Sequence, residues 1–346
     1  MKLADIKLKP LIDTLRLENI SDDEYFSEKY SDYVSNSRLS YINPEQGGCP
    51  EDYFEKKPKQ RSDSLRFGGA VHQLVLQNDA FMLVNSVDAP TAKAHYMAEY
   101  LFDIMKEKGT KSPTDEEIIE ASNVIDYYKD LMTDKKIKDL RLKCNQYWLQ
   151  RFLFEHDYKG DKIPIFLDAK SRDKLNHCLD NIEKDVNIQT LLHPDYLFKE
   201  PVKGYEQTIL LEVEVNAPDT KSFVLRLKSK LDNYTIDFDD NTVIVNDLKT
   251  SGKPIAVFKD SITKYHYYRE IAMYTWLLLM CAKKFYNMKN MNHKGNFLVV
   301  ETFPEYNTCV YPMTEELFSK GLQEFQYLLK LVAFYSINGK YRRADL

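Results

Sequence analysis

From about Glu200 the chain writes three strand-like segments in close succession, "YEQTILLEVEV", "SFVLRLKSKLDNYTI" and "TVIVNDLKT", joined only by the turn-like "NAPDTK" and "DFDDN". The three segments read as strands, and strand-rich structure behind a helical forepart points to an α/β or α+β class. A helix is expected over about Lys264 to Tyr286, with Tyr267, Ile271, Tyr274, Leu278, Cys281 and Phe285 along one stripe. "NFLVVETF" and "NTCVYPM" read as a further strand pair, and a last helix opens after Thr314 and reaches about Tyr335. The forepart is helical: a short helix over Arg66 to Gln77, one from Thr91 to Gly109, one opened by a Thr114/Glu117 capping box, and stretches at Asp139 to His156 and Asp168 to Leu192. This order predicts an α/β fold, a central mixed sheet flanked by helices with a helical N-terminal elaboration. One domain is expected over residues 1–346, with segments 1–90, 91–200, 201–312 and 313–346.

Hydrophobic residues at 43% and charged residues at 29% exclude disorder and fibrous architectures. Five scattered cysteines without a CxxC pair suggest a reducing compartment, and the N-terminal "MKLADIKLKPLIDTLRLEN" lacks an apolar block, so a cytoplasmic, non-membrane protein is expected. A net charge of −5 argues against a basic nucleic-acid coat. Ser251 to Lys294 nevertheless carries eight Lys/Arg against Asp260 and Glu270, a local +6. That segment is either a solvated helix face or a patch for a polyanion.

The chemistry-bearing stretch is "VIVNDLKTSG". Alternation puts Val243, Val245, Asp247 and Lys249 on one face of their strand. On the preceding strand Arg226, Lys228, Lys230 and Asp232 share a side, and a hairpin through "DFDDN" would let the Asp232 and Asp247 carboxylates converge. Two carboxylates beside an ammonium suit a hard divalent cation and phosphate chemistry. The alternative is a surface ion pair on a half-exposed strand.

Taken with the upstream "LRFGGAVHQLVL", then "KSKLDNY", "VNDLKTSG" and the tyrosine-rich "YHYYREIAMY", the order resembles the PD-(D/E)XK nuclease superfamily, and more narrowly its phage-type RecE and lambda-exonuclease-like branch. The resemblance covers about Asn36 to Tyr274 and implies a restriction-endonuclease-like core. It implies that His72, Asp232, Asp247, the Leu248 carbonyl and, as an auxiliary acid, Glu206 hold Mg²⁺ or Mn²⁺, with Lys249 as the catalytic lysine. Arg226, Lys228 and Lys230 would meet the DNA backbone, and Arg66 a terminal phosphate. The family's Gln-x-x-x-Tyr is "EIAMY" here, so Tyr274 is kept while Glu270 stands in the place of an amide donor. No cysteine cluster follows this helix, so no iron–sulfur cluster is expected, and no GxxxxGK[ST] loop suggests ATP. The implied function is a metal-dependent deoxyribonuclease, an exonuclease on double-stranded ends in phage-type recombination or DNA processing. Homo-oligomeric rings and a recombinase or annealing partner are further implications. The rivals are an endonuclease or flap nuclease, and a non-catalytic DNA-binding or assembly protein on a nuclease scaffold.

Overall fold

The computed structural model describes residues 2–55, 62–125, 132–196 and 198–339. Its strands are β1 Lys7–Glu18, β2 Phe81–Leu83, β3 Ile163–Ile165, β4 Val202–Asn216, β5 Phe223–Asp237, β6 Thr242–Ser251, β7 Asn292–Glu301 and β8 Thr308–Pro312. The chain divides into two compact units, one of Met1–Lys59 with Asn181–Leu346, the other Gln60–Asp180.

The first unit is built on one six-stranded sheet in the order β1-β4-β5-β6-β7-β8. The predicted run pairs antiparallel as β4, β5 and β6. Between β6 and β7 the chain passes through a 20-residue helix, Tyr267–Tyr286, and returns parallel, as a crossover of that length permits. The α/β architecture, a central, mostly antiparallel sheet flanked by helices, is therefore present. β1 was not predicted, because "KLKPLIDTLRLE" is half exposed, carries Pro10 and shifts register between Leu11 and Arg16. Such irregularity is tolerated at a sheet edge, where one side of the strand has no ladder to complete.

Val213, Leu227, Val245, Leu277 and Phe325 belong to the main core, which joins the sheet to the Tyr267–Tyr286 and Glu315–Asn338 helices. Those two helices approach closely at Gly321, where a Cβ would lie 2.5 Å from the Tyr268 carbonyl oxygen. The predicted helix from Lys264 is in fact broken. Phe258–Lys264 ends first, His266 adopts the left-handed conformation with φ 55°, and the long helix starts at Tyr267.

The second unit holds helices Asp63–Leu76, Ala92–Lys108, Asp115–Ile125 and Asp134–Asp157 and the parallel pair β2–β3. Met97, Leu101, Phe102, Ile118, Cys144 and Trp148 form its core. The predicted capping box is made: the Thr114 N–H donates to Glu117 Oε2 at 2.8 Å, and the Glu117 N–H to Thr114 Oγ1 at 3.2 Å. The part of that predicted helix beyond Ile125, residues 126–131, lies outside the described residues, as do 340–346. The predicted Asp168 to Leu192 helix is two, Ala169–Lys184 and Val186–Leu192, because the Asp185 side chain caps the second by accepting from the Asn187 and Ile188 N–H groups. Among the described residues no helix is long and apolar enough to cross a membrane.

Within the second unit His95 is 5% exposed, and burial, with Arg66 and Arg151 adding, pushes its pKa down to about 3. The unfolded chain takes up this proton first as pH falls, so the stability contributed by a neutral His95 is full above pH 6.5 and is lost as pH falls toward 3. Between pH 7 and pH 4 the loss is on the order of 3 kcal/mol. Urea unfolding over that range should show a steeper acid destabilisation for the parent than for His95→Phe, and parallel pH profiles would remove His95 as the cause.

Candidate active site

The β5–β6 ladder pairs Asn233 with Asn246, Tyr234 with Val245 and Ile236 with Val243. One step beyond the Asn233–Asn246 pair stand Asp232 and Asp247. The Asp232 carboxylate reaches across to the neighbouring strand, where its Oδ2 accepts the Leu248 N–H at 2.7 Å. Asp247 is 2% exposed, and Lys249 Nζ lies 2.7 Å from its Oδ2. The hairpin expected from the sequence thus brings Asp232, Asp247, Leu248 and Lys249 together.

β4 adds Glu206. The ladder keeps its register from Tyr205–Asn233 to Gln207–Leu231 but skips the pair between them, Glu206 and Asp232, and Glu206 has φ 49°. A non-glycine residue held in the left-handed region inside a strand is strained, and such strain gathers at functional sites. A carboxylate oxygen of Glu206 lies within 4.8 Å of one from Asp232. Glu206 also pairs with Lys230 at 3.3 Å.

The Tyr267–Tyr286 helix contributes Glu270 and Tyr274, one turn apart. Glu270 Oε2 accepts from Lys249 Nζ at 3.1 Å, and its Oε1 accepts from the Tyr274 hydroxyl at 3.0 Å. Both oxygens therefore act as acceptors, which a glutamine amide could not do. The Glu270 that stands out in the sequence is here a second acid on the lysine.

Three acids around one lysine, Asp247 buried and Asp232 and Glu270 half-buried, leave an excess of negative charge. Burial pushes the Asp232 carboxyl up to about 6, against the opposing pull of Lys249 and the Leu248 N–H. Asp247 is raised well above the usual carboxylate range, mainly by burial, with Glu270 and Asp232 adding. Burial works against the Lys249 charge, but Asp247, Glu270 and Asp232 outweigh it and raise the ammonium well above its ordinary value. Glu270 is also disfavoured by burial, yet Lys249 and the Tyr274 hydroxyl hold it below its ordinary value.

The donor set fits a hard divalent cation such as Mg²⁺ or Mn²⁺. Asp247 Oδ2 is buried and makes no hydrogen bond of acceptable geometry, although the Lys249 ammonium is close. A buried carboxylate oxygen with a spare lone pair, on the strand next to Asp232, is the oxygen-rich environment such ions take. The Leu248 carbonyl lies on the same strand, and its residue is fully buried.

The remaining sequence candidates lie on the Asp63–Leu76 helix and on β5. His72 and Arg66 lie on the Asp63–Leu76 helix of the second unit. Arg66 faces Asp63 at 3.5 Å, its Nε and Nη1 make no hydrogen bond, and with His95 it lines a recess of about 210 Å³. Arg226 is exposed and faces Glu212 at 3.6 Å. Lys230 is paired with Asp22 at 2.5 Å. Lys228, expected at the surface, is 6% exposed: its Nζ donates to the Tyr25 carbonyl at 2.6 Å and lies 4.3 Å from the Tyr25 ring centroid. Burial pushes its pKa down to about 8.

Three features here were not anticipated from the sequence. A buried asparagine ladder crosses β5, β6 and β7, with Asn246 donating to Asn233 at 2.6 Å and Asn296 donating to Asn246 at 2.9 Å. The Tyr267 ring lies 5.0 Å from Lys249 Nζ. Arg269, fully buried, is joined to Glu324, Asn36, Ser40 and Gln46. A single asparagine inside each of three strand-like segments, in "DNY", "VNDL" and "GNFL", was the one readable signal.

No family model and no curated protein matches the chain. Among solved structures it is similar to a protein from Eubacterium rectale described as "Putative exonuclease", with a TM-score of 0.48 and 12% identity over 94% of this chain and 89% of that one.

Proposed function

We propose that the chain is a divalent-metal-dependent deoxyribonuclease of the PD-(D/E)XK kind, acting as an exonuclease on the ends of duplex DNA. The observation that carries this reading is the convergence of Asp232 and Asp247 from neighbouring strands, with Lys249 Nζ 2.7 Å from Asp247 Oδ2. An Mg²⁺ held by Asp232, Asp247 and Glu206 would supply positive charge to the phosphoryl and leaving oxygens. The Lys249 ammonium, tied to Asp247 and Glu270 and 18% exposed, is placed to orient an attacking water and to stabilise charge developing on phosphorus. Tyr274 holds Glu270, and Glu270 in turn holds the lysine.

The sequence resemblance adds His72 as a metal ligand and Arg66 as the contact for a terminal phosphate. Exposed Arg226 and the Lys253, Lys259 and Lys264 side chains would meet the DNA backbone, with the salt dependence of phosphate contacts.

The test is digestion of linear duplex DNA, with open or blocked ends, beside closed circles. Mg²⁺-dependent loss of open linear DNA, abolished by chelation, with circles left intact, is the expected result. Cut circles would instead establish an endonuclease. No digestion of any substrate with Mg²⁺ or Mn²⁺, together with DNA binding unchanged in Asp247→Ala, would establish a non-catalytic binding protein. His72→Ala is expected to raise the Mg²⁺ concentration needed for half activity, and an unchanged metal titration would remove it from the ligand set.

A further inference from the structure

We infer that Tyr265 and Tyr267 form a stacking subsite for an unpaired nucleobase beside Lys249, so that the substrate engaged at the site is a single strand or a frayed terminal nucleotide. This inference rests on the nuclease reading above and names the form of DNA that the site takes.

The two rings lie 5.5 Å apart at 34°. Tyr267 is stacked on Phe258, with centroids 6.2 Å apart at 24°, and Phe258 is 2% exposed and packs in turn on Phe297. The result is an aromatic ladder that starts in the core, passes within 5.0 Å of the Lys249 ammonium at Tyr267, and ends at the surface on Tyr265. Tyr265 is 47% exposed, so the last rung is open to a further flat ring.

Side chains two residues apart on a helix do not face each other. These two meet because the residue between them, His266, is left-handed, with φ 55° and ψ 36°. That conformation is unfavourable for a residue with a Cβ, and it is held by neighbours: the Glu324 carboxylate lies 2.9 Å from His266 Nδ1, and the Tyr268 hydroxyl 2.8 Å from it. A locally strained turn, secured from outside, sets both tyrosine rings beside the site.

The surroundings suit a strand as well as a base. Lys264 Nζ lies 5.5 Å from the Tyr265 ring, and Lys253, Lys259 and Lys264 are exposed along the same connection from β6 to the long helix. Aromatic rungs interleaved with lysines are the elements by which proteins hold unpaired strands, because every base offers a π-face while ammonium groups meet the phosphates. A base inside a duplex is stacked on both of its faces and cannot present one, whereas an unpaired nucleotide can.

The experiment uses a single-stranded oligonucleotide carrying 2-aminopurine, whose fluorescence is quenched by stacking, bound in Ca²⁺, with a parallel cleavage arm in Mg²⁺. Parent protein, Tyr265→Phe and Tyr265→Trp are expected to quench and bind alike. Tyr265→Ala is expected to lose the quenching and bind about tenfold more weakly. An oligonucleotide with an abasic site at the same place should bind parent and Tyr265→Ala equally. Unchanged quenching and affinity in Tyr265→Ala would overturn the subsite, as would absence of quenching by the parent. Quenching by the parent that Tyr265→Ala loses, without Mg²⁺-dependent cleavage, would uphold the subsite while sinking the nuclease reading. Normal cleavage with no effect of Tyr265→Ala would do the reverse.

Discussion

Lys249→Ala is expected to lower the rate of metal-dependent DNA hydrolysis by about 10²- to 10³-fold, the loss seen when one aimed donor is taken from a transition state. Its ammonium sits between Asp247 at 2.7 Å and Glu270 at 3.1 Å, so removing it also leaves these acids without their counter-charge. The variant should therefore be folded but less stable, and single-turnover cleavage under saturating DNA separates the two effects. If Lys249→Ala cleaves at the parent rate, the lysine has no part in the reaction and the mechanism fails. Glu270→Gln gives a finer reading of the same contact. An amide can still accept from Lys249 through its oxygen, but it removes one negative charge from the lysine's surroundings. The cleavage rate of Glu270→Gln should fall between those of the parent and Lys249→Ala.

The largest effect on stability is expected at Arg269, which is 0% exposed. Its Nη1 donates to Glu324 Oε1 at 2.8 Å, its Nε to Asn36 Oδ1 at 2.8 Å, and its Nη2 to Ser40 Oγ at 2.8 Å. Glu324 also accepts from Asn43 Nδ2 at 2.8 Å and from the Tyr268 hydroxyl at 2.7 Å. Arg269→Met strands the Glu324 charge in the interior and is expected to cost about 3–5 kcal/mol in chemical unfolding. Arg269→Met combined with Glu324→Leu should recover much of that loss, because replacing both partners of a buried pair is far less damaging than removing one. A double variant as unstable as the single one would place the cost in the asparagine and serine partners instead. Since Arg269 immediately precedes Glu270, the single variant should also lower cleavage, by loosening the start of the helix that carries Glu270 and Tyr274.

Several of these residues could be read in advance and several could not, for reasons that lie in the range of the interactions. Asp247 and Lys249 are two apart on a strand, and Asp232 is joined to them by a short turn; period-two alternation and hairpin pairing bring such residues together through local geometry alone. The same alternation made Lys228 an outward-facing lysine, but Tyr25 covers it, across a separation of about two hundred residues that no local rule reaches. Glu270 illustrates the middle case. Its place on the long helix followed from the stripe of Tyr267, Ile271 and Tyr274, whereas its bond to Lys249 required the helix to be laid against β6.

The chain order of strand and helix, the β4–β5–β6 meander and the carboxylate–lysine group were thus set by local periodicity and short connections. The edge strand β1, the division into two units, the left-handed turn at His266 and the Arg269–Glu324 network came only from tertiary structure. Each depends on partners distant in sequence: β1 pairs with β4 from about two hundred residues away, and His266 is held by Glu324 from the final helix. Propensity near His266 favours an unbroken helix, and only packing around it makes the break that turns Tyr265 toward Tyr267.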